Sequence, residues 1–358
     1  MKILPNRKQR QQQGVAVVTA LLLTTLALTI VSSLFWQQQV QVRSIENQRL
    51  RLQTKWILLG ALDWAQLILR EDFKTSPAVD HPGEPWATTL QETKLNNYVA
   101  NDKNGSSTDD NSEALLSGSI LDAQSRYNLA NLATNGEFSK DEQAAFQRLL
   151  ENLQISPSLA NPLAKAIAAS QRKISQANGQ PGQPNDGKAG DTGKGTDATA
   201  TQGKMESVEK SGDKEPISFA YLEDLLSVPG YTAEIVQKLR NHVIFLPRVA
   251  NSITAINVNT ASAEVLAARI PGLSVGLAKS MVADPKRGVY FKDMADFRTR
   301  RQDIQIPLDV VGLSTNTNFF IVNGKVSLEQ RATLINQTLV ERGSHLQNGT
   351  RIVWSREI

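Results

Sequence analysis

Residues 11–36 read QQQGVAVVTALLLTTLALTIVSSLFW, and no ionisable side chain occurs between Arg10 and Arg43. The apolar part, Val15 to Trp36, is 22 residues long. As a helix rising about 1.5 Å per residue it covers roughly 33 Å, against about 30 Å for the hydrocarbon core of a bilayer. Lys2, Arg7, Lys8 and Arg10 precede it with no acid among them, which predicts a cytoplasmic N-terminus. A cleaved secretory signal would have an apolar stretch of about 7–15 residues followed by a small-x-small site. Here the stretch is longer and ends in Leu34, Phe35 and Trp36, so the pattern predicts an anchor.

The helix is expected to continue beyond the membrane. No proline occurs from Gln11 until Pro77, and Gly60 is the one glycine between Gly14 and Ser76. Ile45, Leu52 and Leu59 recur every seven residues with Trp56 on the same side, among Arg43, Arg49, Arg51 and Lys55. That spacing reads as an amphipathic continuation of the span. As one element, 15–76 would be roughly 93 Å long. Such a stalk needs partner helices along its length.

Composition narrows the chemistry. The 358 residues include no cysteine, which excludes a disulfide scaffold, a Cys-ligated zinc site and a thiol nucleophile. With 40% apolar and 21% charged residues the chain is globular on average and long enough for two domains. The pI of 9.2 suggests nucleic acid until the charges are located. Without the four basic residues of 1–14, the 39 Lys and Arg fall to 35, equal to the 35 Asp and Glu. The basicity belongs to the leader.

Basic residues, then Gln-Gln-Gln-Gly14, then an apolar run from Val15, resemble a type IV prepilin leader. The resemblance implies cleavage by a membrane peptidase between Gly14 and Val15, on the cytoplasmic side of the span. Most pilins carry glutamate at the fifth mature position, where this chain has Thr19. An intramembrane carboxylate costs about 2.5–3.5 kcal/mol on insertion scales and persists only with a partner. In pilins the partner is taken to be the terminal amine of a neighbouring subunit. Its absence is similar to the K-type minor pseudopilins of type II secretion systems (GspK). Gly60-Ala-Leu-Asp-Trp-Ala65, Ala78-Val-Asp-His-Pro-Gly-Glu-Pro-Trp86 and the stretch Gly118 to Leu132 resemble segments of that family too.

Pro77, Pro82 and Pro85 predict an extended, turn-rich segment after the helix, and 101–112 a surface loop. Ser139 and Glu142 stand as a capping box ahead of Phe146, Leu149, Leu150 and Leu153, and a further helix is expected from Leu159 to Ile174. Residues 176–214 hold eight glycines, five basic and six acidic side chains, and read as a flexible low-complexity insertion.

Residues 221–246 and 257–297 each predict helix, Pro-Gly turn and helix, at Pro229-Gly230 and Pro271-Gly272. The second resembles a helix–hairpin–helix, a motif that in DNA-binding proteins presents backbone N–H groups to phosphates. A membrane-anchored DNA receptor of the competence type is therefore the rival reading, with Gly272 and Lys279 as its contact residues. Residues 264–301 have eight basic side chains, Arg269, Lys279, Lys286, Arg287, Lys292, Arg298, Arg300 and Arg301, against four acidic ones. Against that reading, the hairpin has Gly272-Leu-Ser274 where Gly-x-Gly is usual, and a neutral mature chain lacks a broad basic footprint. A packing role for these helices, with nucleic acid no partner, is the favoured expectation.

Phe319–Val322 and Lys325–Leu328 read as two strands around an Asn323-Gly324 hairpin turn, followed by strands at 331–341 and 351–354. The expected fold class is α+β: a pilin-like N-terminal helix packed on a C-terminal antiparallel sheet of about four strands. The expected divisions are a leader at 1–14, the span at 15–36, its periplasmic continuation at 37–76, an inserted mostly helical domain at 77–315 and the sheet at 316–358.

Enzymatic chemistry is not expected. His81, His242 and His345 lie in unrelated contexts, His81 and Glu84 read as a turn rather than two metal ligands, and no P-loop or dinucleotide fingerprint is present. No cofactor is required. Calcium, which the resemblance allows, has oxygen-rich stretches at Asp102–Asn111 and at Asp122, Gln124, Asn128 and Asn131, without EF-hand spacing. The resemblance implies a minor pseudopilin at the pseudopilus tip, in the inner membrane with its globular part in the periplasm. Its implied partners are the I- and J-type minor pseudopilins, other pseudopilins and the prepilin peptidase.

Overall fold

The computed structural model describes residues 13–95, 114–171, 219–248, 252–286, 288–302, 304, 312–328 and 331–358. The 176–214 stretch and the 101–112 loop lie outside the described residues. The chain divides into two compact units, one made of residues up to Thr75 with Glu84–Leu121 and Phe320–Ile358, the other of Ser76–Gly83 and Asp122–Phe319.

The first unit is built on α1 (Gln13–Thr75), an uninterrupted helix of 63 residues and about 94 Å. All side chains from Val15 to Arg49 are exposed. From there Leu50, Thr54, Leu58, Leu62, Ala65, Leu69 and Asp72 are buried, at steps of three and four residues that make one helix face. This face lies on a sheet of β1 (Leu90–Lys94), β2 (Ala114–Asp122), β3 (Phe319–Leu328), β4 (Ala332–Arg342) and β5 (Thr350–Glu357), in spatial order β1-β2-β3-β4-β5. β1 and β2 pair antiparallel, as do β4 and β5. Helix and sheet meet in successive apolar layers. Leu50 packs with Ala114 and Leu328, Leu58 with Leu116 and Val326, and Leu62, Ala65 and Leu69 with Ile120, Phe320, Val322, Val340 and Trp86. Each fully buried large side chain contributes about 1.5–3 kcal/mol. The period of two along β2 and β3 meets the helical period of α1 at every layer.

Two expectations about this sheet need correction. Asn323-Gly324 is not a hairpin turn, because β3 runs through it from Phe319 to Leu328. Gly324 is there for close approach: a Cβ at that position would come within 2.8 Å of Leu58 Cδ2 on α1. The sheet has five strands rather than four, since residues 84–121, expected in the inserted domain, supply β1 and β2. Deeper in this unit, Arg342 is buried, its guanidinium 2.5 Å from the Asp72 carboxylate and over the rings of Phe73 and Phe320.

The second unit is mostly helical. Its helices are α2 (Lys140–Asn152), α3 (Ala160–Ser170), α4 (Ala233–Leu239), α5 (Ala263–Arg269), α6 (Val275–Lys286) and α7 (Met294–Arg300). Phe146, Leu149, Leu150, Leu163, Leu239, Leu266 and Phe297 share one core. Two short parallel strand pairs, 127–128 with 243–244 and 256–257 with 313–314, tie distant parts together. Ser139 caps α2 through the backbone N–H of Glu142, as expected, but the return half of the box is not made. Glu142 instead turns inward to a buried ion pair with Arg269, 2.6 Å away, and accepts the Tyr127 hydroxyl. Burial and that carboxylate push the Tyr127 phenol well above its ordinary range.

Candidate functional site

The features that bear on function lie along α1 and at the second Pro-Gly turn. Gly14 and Val15 lie on α1, whose described part starts at Gln13. Thr19 follows one turn later, its hydroxyl 3.0 Å from the carbonyl oxygens of both Val15 and Ala16. Thr24, Thr25 and Thr29 likewise bond the carbonyls of Leu21, Leu22 and Leu26. These four threonine hydroxyls thus satisfy themselves on their own helix, which makes them compatible with lipid. α1 is long and apolar enough to cross a membrane, and its most apolar stretch is wholly unburied.

Farther along α1 the structure changes the reading of the heptad stripe. Ile45, Leu52, Trp56 and Leu59 are 65%, 59%, 71% and 41% exposed. At 100° per residue they point nearly opposite to the face that meets the sheet. The amphipathic pattern read from the sequence is real, but it is not the intramolecular one. The sheet is met by a face that includes Thr54, Ala65 and Asp72, whose small or polar side chains weakened its signal.

The two Pro-Gly turns differ. Gly230 has φ +93°, and a Cβ there would come within 2.6 Å of Leu159 Cδ2, while the Tyr231 hydroxyl donates to Leu159 O. Pro229 and Gly230 are themselves exposed while Val228 and Tyr231 on either side are buried, and the element before the turn is a 3₁₀ helix, Leu222–Ser227. Gly272, at φ +80°, has among the described residues no atom within 4 Å of where a Cβ would stand. Its turn is exposed, Ser274 bonds the backbone N–H of Leu277, and Lys279 is exposed on α6. Of the eight basic residues of 264–301, Arg269 is buried against Glu142 and Arg300 pairs with Asp296 at 2.7 Å. Those charges serve the fold first.

The proposed calcium ligands divide as well. Asp102–Asn111 lies outside the described residues. Asp122 accepts from Gln124 N and from the side chains of Asn257 and Thr260. Gln124 accepts from Asn318 N, Asn128 from Ala130 N and Leu246 N, and Asn131 from Thr254 N. Their oxygens face hydrogen-bond donors, and burial raises the Asp122 carboxyl above its ordinary value despite those bonds. Sequence reasoning missed this network because Asp80, Asn257, Thr260 and Thr317 join it from three separate stretches: Asn257 also donates to Asp80 O, and Asp80 accepts from Thr317 N. His81 stacks on Tyr290 at 3.8 Å, and its Nδ1 accepts from Gly83 N, the turn expected of it.

Comparison with known proteins follows from this geometry. Two profiles, both described as Type II secretion system (T2SS), protein K, match residues 125–248 and 256–310. Together these stretches make up half of the chain. The Type II secretion system protein K of Pseudomonas aeruginosa is 28% identical over 342 residues, covering 94% of this chain and 90% of that one. A chain in the crystal structure of the GspK-GspI-GspJ complex from the enterotoxigenic Escherichia coli Type 2 Secretion System has the same fold. The TM-score is 0.61 at 16% identity, over 87% of this chain and 98% of that one. The long helix, the sheet and the helical unit are thus the architecture of a known relative, and the chain belongs to the type II secretion system protein K family.

Proposed function

We propose that the chain is a minor pseudopilin, cut between Gly14 and Val15, held by α1 in the inner membrane with its globular part in the periplasm. It stands at the tip of a pseudopilus and starts its assembly for export across the outer membrane. The observation that carries this reading is α1 itself, whose apolar first part is bare and whose later part shows a second apolar stripe opposite the sheet. A helix of that kind is built for lipid and then for other helices. Thr19 supports the tip position: with no carboxylate, it has nothing to offer the terminal amine of a preceding subunit. The partners proposed are I- and J-type minor pseudopilins, the classes that accompany the structural relative in its complex. No catalysis and no required cofactor belong to this role.

The test is co-purification of the full chain, in detergent, with co-expressed I- and J-type chains. The reading expects a complex holding one copy of each; a chain that recovers neither overturns the tip assignment. The rival DNA-receptor reading keeps one observation, the exposed Gly272 turn, and expects salt-sensitive duplex binding that is lost on changing Gly272 and Lys279.

A further inference from the structure

We infer that the cavity between α1 and the sheet of the first unit is a binding site for a single-chain zwitterionic amphiphile, one acyl chain whose head carries a phosphate and an amine. The cavity measures about 700 Å³, within the roughly 300–1,000 Å³ of small-molecule sites. It lies wholly inside the first unit, and all five strands line it. Four strand spacings of about 4.8 Å make roughly 19 Å across the sheet. A space of that length and volume is narrow, and an extended acyl chain has that shape.

The walls change character along it. On β1, β2 and β3 they are Leu90, Leu116, Ile120 and Val322, with Leu62 and Ala65 contributed by α1. Gly118 and Gly324 leave the middle of the floor without side chains. On β4 and β5 the lining turns polar, to Asn336, Thr338, Ser355 and Glu357. Asn336 Oδ1 accepts the Thr338 and Ser355 hydroxyls at 2.9 and 3.1 Å. Its oxygen is thus used, whereas its Nδ2 donates to no described residue and remains a donor for a ligand.

Two charged residues stand in the lining, Lys55 on α1 and Glu357 on β5. Both are exposed, and among the described residues neither meets an opposite charge. A head that complements them carries both signs: phosphate oxygens for Lys55 and the Asn336 amide, an ammonium for Glu357. A fatty acid would set its carboxylate beside Glu357 with nothing to offset the repulsion. Lys55 lies 19 residues past Trp36, or about 28 Å along α1. With 15–36 as the span, that is beyond the reach of a lipid still seated in the bilayer. It favours a single-chain amphiphile, whose hold on the membrane is weak and reversible. The cavity itself does not depend on the anchor reading.

The test is native mass spectrometry of the full chain, purified in a non-ionic detergent and titrated with palmitoyl lysophosphatidylethanolamine. One lipid per chain is expected to remain once the detergent is stripped. Ala61→Trp, which puts a large ring into the lining, should weaken retention by about tenfold or more with the circular dichroism unchanged. Lys55→Gln and Glu357→Gln, at exposed positions, should each weaken it by about threefold or more. Lysophosphatidylglycerol, which has the phosphate and no amine, should bind the parent less well and gain on Glu357→Gln. Equal retention of the two lipids by the parent overturns the inference, as does retention by a folded Ala61→Trp chain equal to the parent's, or a parent that keeps detergent alone. Should Ala61→Trp not fold, the two glutamine variants decide the matter, and retention unchanged in both overturns it.

Discussion

The two faces of α1 between Leu50 and Asp72 are nearly equally apolar and have opposite fates. One holds Leu50, Leu58, Leu62 and Leu69 and is buried on the sheet; the other holds Leu52, Trp56, Leu59 and Leu67 and is left in solvent. Hydrophobic pattern alone does not say which face a fold will use, because a helix destined for two neighbours carries two stripes. What separates them is the detail opposite each. Gly324 on β3 makes room for Leu58, whereas Gly60 beside the exposed stripe makes room for nothing in the first unit.

The comparison can be broken most sharply on the buried face. Leu69 is fully buried, so Leu69→Ala should lower stability by about 2–5 kcal/mol, read by denaturant unfolding in detergent; a loss below about 1 kcal/mol would mean the helix–sheet contact is loose. Gly324→Ala places a methyl against Leu58 and should cost about 1–3 kcal/mol by the same assay. If it is neutral, the close approach is not what requires glycine. On the other face the sign reverses. Gly60→Ala should stabilise the isolated chain by about 1 kcal/mol in the same assay, since a Cβ there meets nothing described. The smallest effect on stability belongs to Trp56→Ala, within about 0.5 kcal/mol of the parent in the isolated chain, yet it should abolish recovery of partner pseudopilins.

Much of this was legible in residue order. An uncharged stretch from Gln11 to Val42 with no proline before Pro77 left little but a long helix, and φ-positive glycines stand at both Pro-Gly turns. Where the reading failed, tertiary context had replaced a local signal. Asn323-Gly324 has a strong hairpin signature, but the glycine answers to Leu58, far away in sequence. β1, with the sequence LQETK, has no alternating apolar pattern because it is an edge strand with little to bury, and it becomes a strand by pairing with β2. Glu142 looked like half of a capping box because its partner Arg269 is 127 residues away. The candidate site followed the same rule: Gly14, Val15 and Thr19 can be proposed from residue order because their chemistry is local, whereas the exposure of Ile45, Leu52 and Leu59 depends on where the sheet lies.

The account's central claim is that α1 is released from a leader at Gly14 and then serves as both anchor and assembly surface. Intact mass and N-terminal sequencing of the full chain, expressed with and without a prepilin peptidase, test it most directly. The account predicts a new N-terminus at Val15 that appears only with the peptidase, and an uncut precursor when Gly14 is replaced by a bulky residue. An N-terminus still at Met1 under both conditions would contradict it.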